Sequence, residues 1–144
     1  MKSKLLKFAF ICLISSVLII LNQSTLSQTN QTTNPCDNAK TTLEMRQCAD
    51  KQYKKGNGEL NQLYQKIMIK LDEKIKVSKN TLILKSKIIE AQRSWIVFRD
   101  KSCEVDRFMY QGGSFEPVAL LNCLSGTTWL RVTDLKGLLE EISR

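Results

Sequence analysis

The stretch AQRSWIVFRDKSCE, residues 91–104, gathers aromatic, charged and sulfur-bearing side chains on one short segment. Trp95, Arg99 and Cys103 follow one another at steps of four, so they form one row along a helix. A guanidinium on such a row either pairs with a buried acid or binds a carboxylate or phosphate from outside. The choice between these roles depends on the elements that position the row.

Catalysis by this segment finds little support in the rest of the chain. The sequence has no histidine, which is the commonest general base, and it contains no G-x-S-x-G, S-x-x-K or phosphate-loop motif. Asp100 and Glu104 lie four residues apart, but carboxylates at this spacing on a basic helix are usually solvated. We therefore expect a protein without enzymatic activity and without a cofactor.

The N-terminus has the pattern of a secretory signal, predicted over residues 1–27. Three lysines in residues 1–7 precede residues 8–21, which are apolar except for two serines. That run is short for a membrane span, which needs about 20 apolar residues. The small residues Thr25 and Ser27 predict cleavage near Ser27–Gln28 and export to the periplasm or the extracellular space. An uncleaved signal anchor is the alternative.

The remaining chain divides into a short leader and one domain. Residues 28–35 are polar and without periodicity, which predicts a disordered leader, and residues 36–144 are long enough for one modest core. Loss of three of the 22 basic side chains with the signal leaves 19 against 14 acidic ones, a net charge near +5. Export argues against a nucleic acid as partner. Anionic polymers or lipid head groups of the cell envelope remain candidates.

Hydrophobic periodicity predicts three long helices and no sheet. The first helix begins near a capping box formed by Thr41 and Glu44, and we expect the glycines of residues 56–58 to kink it or open a short loop. The second and third helices are expected over residues 81–110 and from Glu116 or Pro117 to Ile142.

Each helix carries apolar residues at steps of three and four, which marks its face toward the core. On the first helix this face comprises Leu60, Leu63, Tyr64, Ile67, Leu71 and Ile75. On the second helix we expect a buried stripe of Leu84, Ile88, Ala91, Trp95 and Phe98. The third seam is polar in its middle and comprises Leu121, Leu124, Thr128, Arg131, Leu135, Leu138 and Ile142.

Four cysteines remain once Cys12 leaves with the signal, which implies two disulfides with three possible pairings. A zinc site is the alternative, but the chain has no C-x-x-C pair and no histidine. Short turns favour antiparallel neighbours, and this places all four cysteines at one end. The geometry favours Cys103–Cys123, which leaves Cys36–Cys48. The predicted fold class is therefore all-α, an antiparallel bundle of three helices tied by two disulfides.

Arg99 and Arg131 are expected at least half-buried, where an unpaired charge is very costly. Glu44 and Asp50 of the first helix are candidate partners for Arg99. The structural interpretation is two internal ion pairs that set the register of the helices. The functional alternative is an arginine-lined site that recognises a carboxylate or a phosphate.

Three blocks of the chain resemble one family. They are CDNAKTTLEMRQCA at residues 36–49, the LN-x-x-Y element at 60–64, and AQRSWIVFRDKSC at 91–103 followed by GGS at 112–114 and by Cys123, Thr128, Arg131 and Leu135. Together they are similar to the lysozyme-inhibitor LprI family of exported bacterial proteins. The resemblance implies a secreted, periplasmic or surface helical protein that binds other proteins, and the family's name implies inhibition of lysozyme-type muramidases.

A lysozyme has two carboxylates in its active cleft, and a protruding ammonium group could enter it. Lys54 and Lys55 are expected on an exposed loop, residues 53–59, beside the glycines. Phe115 is expected to be exposed in the turn of residues 111–116 between the second and third helices. Common lysozymes are cationic, so a partner near +5 gains no long-range electrostatic steering. The alternative function is a structural or stress protein of the envelope that contacts anionic polymer or lipid.

Overall fold

The computed structural model describes residues 36–75 and 78–144, and the expected signal and leader lie outside these ranges. The described residues form three α-helices and no strand: α1 (Thr42–Ile75), α2 (Asn80–Met109) and α3 (Glu116–Ser143). The prediction of three long helices is confirmed, and the ends of α2 and α3 lie within one residue of the predicted positions. Within the described ranges, none of the helices has the length and apolar character needed to cross a membrane.

α1 begins at the predicted capping box. The Glu44 amide donates to Thr41 Oγ1 over 3.2 Å, and the Thr41 amide donates to Glu44 Oε2 over 3.0 Å. The Lys40 amide donates to the same carboxylate oxygen over 2.8 Å. The hydrogen bonds from these backbone amides lower the pKa of Glu44, and the bond from Lys40 has the largest effect. They also satisfy amide groups that lack a partner within the helix.

Of the kink or short loop expected at residues 56–58, the loop does not form, because α1 continues through both glycines. Gly56 is buried, and the indole of Trp129 from α3 lies against it. A Cβ atom at Gly56 would stand only 3.1 Å from Trp129 Nε1. The glycine therefore permits close packing of α3 on α1, a requirement that outweighs the low helix propensity of glycine.

α1 and α3 run in the same direction and form the most extensive interface of the bundle. Three contacts follow one another along both helices: Gly56 with Trp129, Glu59 with Lys136, and Lys74 with the carbonyl of Ile142. α2 runs in the opposite direction and packs less extensively on both neighbours. An ion pair between Lys85 and Asp72 joins α2 to α1 near the first turn.

The core is aliphatic and comes mainly from α1 and α3. Its buried members are Leu60, Leu63, Ile67, Leu71, Ile88, Val132, Leu135 and Ile142. Tyr64 and Trp95 pack against this cluster and remain partly exposed. The hydroxyl of Thr128 is fully buried and has no hydrogen-bond partner within the described residues.

Two disulfides close the same end of the bundle. Cys36–Cys48 has a Cα–Cα distance of 5.7 Å, and Cys103–Cys123 has one of 5.4 Å. The predicted pairing is confirmed. Cys36–Cys48 ties the chain before α1 to that helix, and Cys103–Cys123 ties the end of α2 to the beginning of α3.

Candidate functional site

The inward face of α2 is polar at its centre. Gln92 and Arg99 are only 6% and 7% exposed, and they lie on the side of the helix that also carries Ile88 and Cys103. Polar groups in such positions need partners, because burying them without hydrogen bonds is costly. Their surroundings therefore decide whether this part of α2 holds a ligand or holds the bundle together.

Two guanidinium groups contact the indole of Trp95. Arg99 Cζ lies 5.1 Å from the centroid of the Trp95 ring and 5.7 Å from that of Tyr53 on α1. Arg131 Cζ on α3 lies 5.7 Å from the Trp95 ring. Cation–π attraction of this kind stabilises each group by about 0.5–2 kcal/mol, more where water is excluded. We call Tyr53, Gln92, Trp95, Arg99 and Arg131 the arginine–tryptophan cluster.

Arg99 pairs with its own neighbour in the chain. Its Nε donates to Asp100 Oδ1 over 2.9 Å, and its Nη2 lies 2.7 Å from the same oxygen. The prediction of Glu44 or Asp50 as partner is wrong, since Glu44 caps α1 and Asp50 pairs with Lys54. Both carboxylates are bound by donors of their own helix end, and the α1 side chain that contacts Arg99 is Tyr53.

Arg131 is bound by a side chain from the facing helix. Its Nε donates to Gln92 Oε1 over 3.1 Å, and its Nη1 lies 3.8 Å from Asp134. Both arginines of the cluster thus have polar partners inside the protein. The two internal ion pairs expected between helices do not form, because Asp100 and Asp134 lie on the same helices as the arginines they pair with. The contacts that join α2 to its neighbours here are the Arg99–Tyr53 ring contact, the Arg131–Trp95 ring contact and the Arg131–Gln92 hydrogen bond.

Five apolar residues lie on the outward side of α2, with the exposed Lys87 among them. Leu84, Ala91, Phe98 and Val105 are seven residues apart and lie along one side of the helix, and Met109 continues the row by one turn. Phe98, Val105 and Met109 are 62%, 62% and 71% exposed, and Leu84 and Ala91 are exposed too. We call these five residues the α2 stripe. The expected burial of Leu84, Ala91 and Phe98 is therefore wrong.

The disulfide gives the physical reason for this orientation. Cys103 must face α3 to reach Cys123, and it is fully buried. Phe98 lies five residues before Cys103, so it points about 140° away from it around a helix of 3.6 residues per turn. With only two neighbouring helices, α2 buries the side that carries Cys103 and exposes the side that carries Phe98. The position of Cys103 is the sequence signal that could have revealed the α2 stripe.

Lys54 and Lys55 lie on α1, so their interpretation as cations on a flexible loop is wrong. Lys54 pairs with Asp50 over 2.6 Å. Lys55 Nζ lies 5.9 Å from the centroid of the Trp129 ring. Because the helix fixes their backbone, neither lysine projects on a mobile segment toward a partner.

Phe115 is half-buried and not the exposed tip that was expected. Its ring packs edge to face against Tyr110, with centroids 5.0 Å apart. Gly112 adopts a φ of 79°, and its amide donates to Glu116 over 2.8 Å. This hydrogen bond lowers the pKa of Glu116, and the hydrogen bond from Arg107 lowers it further by a smaller amount. The turn between α2 and α3 is thus tied by its own side chains.

Two of the open grooves formed by the described residues border α1. The larger has a volume of 590 Å³ and is lined mainly by Leu43, Arg46, Asp50, Lys54, Pro117 and Leu121. The smaller has a volume of 430 Å³ and is lined by Lys55, Gly58, Glu59, Gln62, Lys66 and Lys136, together with Leu63. We call the smaller one the lysine groove. In the described ranges, no cluster of acidic or thiol side chains could hold a metal ion.

Comparison with known proteins identifies the family. A family model described as "Lysozyme inhibitor LprI" matches residues 33–135, which include both disulfides, the arginine–tryptophan cluster and the α2 stripe. An uncharacterized protein of Rhizobium meliloti (strain 1021) is 32% identical over 109 residues, which cover 73% of this chain and 78% of that protein. No solved structure matches the chain. The chain belongs to the lysozyme inhibitor LprI family.

Proposed function

We propose that this protein is an exported protein-binding module that inhibits a lysozyme-type muramidase through the α2 stripe, without catalysis. Membership of the family supports this class of partner. Two disulfides are typical of proteins that work outside the cytoplasm. In this proposal, residues 1–27 are removed near Ser27–Gln28, and the domain of residues 36–144 acts in the periplasm or the extracellular space.

The observation that carries the proposal is the distribution of side chains around α2. Gln92 and Arg99 are buried, whereas Phe98, Val105 and Met109 are more than half exposed. Single exposed apolar residues are ordinary, but five of them on one side of a helix, interrupted by Lys87 and lying opposite a polar inward face, are informative. Such a row is typical of a helix whose apolar side is covered by another protein.

The dimensions of the α2 stripe suit a protein interface. From Leu84 to Met109 the row spans 25 residue steps, or roughly 37 Å of helix at 1.5 Å per residue. A stable interface buries about 800 Å² on each partner, with an apolar centre and a polar rim. A stripe of this length could form that apolar centre.

Charge also points to short-range apolar contact. A mature protein near +5 gains no long-range attraction to a cationic lysozyme, so steering by charge does not assist the encounter. Burial of apolar surface contributes about 25 cal/mol per Å² whatever the charge. The α2 stripe supplies such surface, while Lys54 is already paired with Asp50.

A muramidase turbidity assay tests the proposal. The purified, disulfide-bonded protein is added at micromolar concentration to a panel of lysozymes acting on bacterial cell walls, and we expect it to slow clearing by at least one of them. Phe98→Asp is expected to weaken inhibition about tenfold or more. Ile69→Asp is the matched control, since Ile69 is 59% exposed on α1, outside the stripe, and should leave inhibition unchanged.

Two results would count against the proposal. The first is clearing at the normal rate by every lysozyme of the panel in the presence of the unaltered protein. The second is equal loss of inhibition in the Phe98→Asp and Ile69→Asp variants, because a general effect of an added charge would then explain the loss.

A further inference from the structure

A second surface, the lysine groove, lies between α1 and α3 and shares no residue with the α2 stripe. Three ammonium groups line it, from Lys55, Lys66 and Lys136, against the single carboxylate of Glu59. Lys136 pairs with Glu59 over 2.6 Å. Lys55 and Lys66 have no carboxylate partner within the described residues, so the groove retains two uncompensated positive charges.

A glycine of the groove has no structural explanation. Glycine inside a helix costs about 1 kcal/mol relative to alanine. Gly56 is explained by the contact with Trp129, but a Cβ atom at Gly58 would meet nothing within 4 Å. Gly58 lines the groove, where the missing side chain leaves the helix backbone open to close approach by a ligand.

One ammonium of the groove is held in place before any ligand arrives. Lys55 Nζ lies over the ring of Trp129, 5.9 Å from its centroid, and Trp129 is itself packed against Gly56. Holding a flexible side chain near its binding position reduces the entropy lost on binding. Lys55 is therefore better prepared to meet an anion than a freely moving surface lysine.

We propose that the lysine groove binds a polyanionic strand of the cell envelope through repeated phosphate or carboxylate groups. Lys55 and Lys66, roughly 16 Å apart along α1, contact separate acidic groups of one strand, and the strand approaches the backbone at Gly58. A strand can reach a floor between two helices, which a flat lipid surface cannot. The groove would anchor the protein near the wall or surface, an activity separate from the proposed inhibition because no lining residue belongs to α2.

Isothermal titration calorimetry on the disulfide-bonded protein tests this site. Inorganic polyphosphate supplies the phosphate arm and polygalacturonate the carboxylate arm, and tight binding of either supports the proposal and identifies the acid group. The double variant Lys55→Gln/Lys66→Gln is expected to weaken binding about tenfold or more and to flatten the salt dependence. Lys79→Gln/Lys101→Gln removes equal charge from two exposed lysines outside the groove and should weaken binding less than about threefold.

A pair of glycine variants tests the floor of the groove. Gly58→Ala is expected to weaken binding about fivefold, since a methyl group would obstruct the approach of the strand to the backbone. Gly126→Ala is the matched control: it also lies in open space on a helix but lines neither groove. Absence of binding to both polymers, equal weakening by both lysine pairs, unchanged affinity in Gly58→Ala, or equal affinity for anionic lipid vesicles would overturn the proposal.

Discussion

Between α1 and α3 the buried side chains are mainly aliphatic and pack closely enough to place Gly56 beneath Trp129, whereas α2 turns Gln92 and Arg99 toward its neighbours. α2 also leaves Phe98 and Val105 in contact with water. The α1–α3 interface thus has the composition that stabilises a fold, since apolar burial is the dominant favourable term. α2 contributes only Ile88 to the buried cluster, with Trp95 packed against it, and is held otherwise by polar contacts and a disulfide, while the α2 stripe stays exposed.

The largest difference between the two regions should appear on truncating one apolar side chain in each. Ile67 is 0% exposed in the core, so Ile67→Ala is expected to lower the free energy of unfolding by about 2–5 kcal/mol. Phe98→Ala removes more atoms but should change stability by less than about 0.5 kcal/mol, because Phe98 is 62% exposed. Urea denaturation measures both, and similar losses in the two variants would contradict the assigned orientation of α2.

Removal of the Cys103–Cys123 disulfide tests how firmly α2 is otherwise attached. Replacing both cysteines by serine opens a loop of 20 residues and should cost about 3 kcal/mol. We expect amide hydrogen exchange to accelerate more in α2 than in the middle of α1, because α2 has the weaker packing. Equal acceleration in both helices would mean that the bundle opens as one unit and that the contrast between the interfaces is small.

Two alanine substitutions sharpen the account of the α1–α3 interface. Gly126→Ala fills open space on α3 and should raise stability by about 1 kcal/mol through helix propensity. Gly56→Ala forces Trp129 to move from a 3.1 Å contact and should lower stability by about 1–2 kcal/mol. Thermal unfolding of the two variants should shift the midpoint in opposite directions. A higher unfolding midpoint in both variants would show that Trp129 moves aside without loss of stability.

The smallest predicted effect is on the stability of the fold at acid pH. The folded protein lowers the pKa of Glu44 and Glu116 below their ordinary value of 4.5 through backbone amides and, for Glu116, Arg107. The stability from these groups is therefore present above about pH 4.5 and is lost as the pH falls through their folded-state pKa. We expect Glu116→Gln to show a shallower decline of the unfolding midpoint below that pH. An unchanged decline would mean that the turn contributes nothing to the acid response.

Much of the fold could be predicted from local signals. The capping box at Thr41 and Glu44, the proline at 117 and the glycines at 112 and 113 marked helix ends correctly. The turn positions also led to the disulfide pairing, because antiparallel helices of known length place Cys103 opposite Cys123. These features depend on residues near one another in the chain or on simple reflection about a turn.

Two features could not be predicted from local signals, because they depend on contacts between helices. The row that contains Leu84 and Phe98 has the period of a buried face, but a helix with two neighbours buries only one side, and Cys103 decides which. Gly56 looks like a helix breaker, and the position of Trp129 explains why a glycine stands there. The sequence alone did not predict the two surfaces. The α2 stripe depends on which side of α2 Cys103 buries, and the lysine groove depends on the packing of α3 against α1.

Photo-crosslinking from α2 tests most directly whether its exposed stripe receives a lysozyme. Benzoylphenylalanine is placed at position 98, and in a matched protein at position 69, which is exposed to a similar degree on α1. We expect irradiation with an inhibited lysozyme to yield a crosslinked complex from position 98 and none from position 69. A complex formed equally from both positions, or none from position 98 in a protein that still inhibits, would contradict the assignment of the α2 stripe as the binding surface.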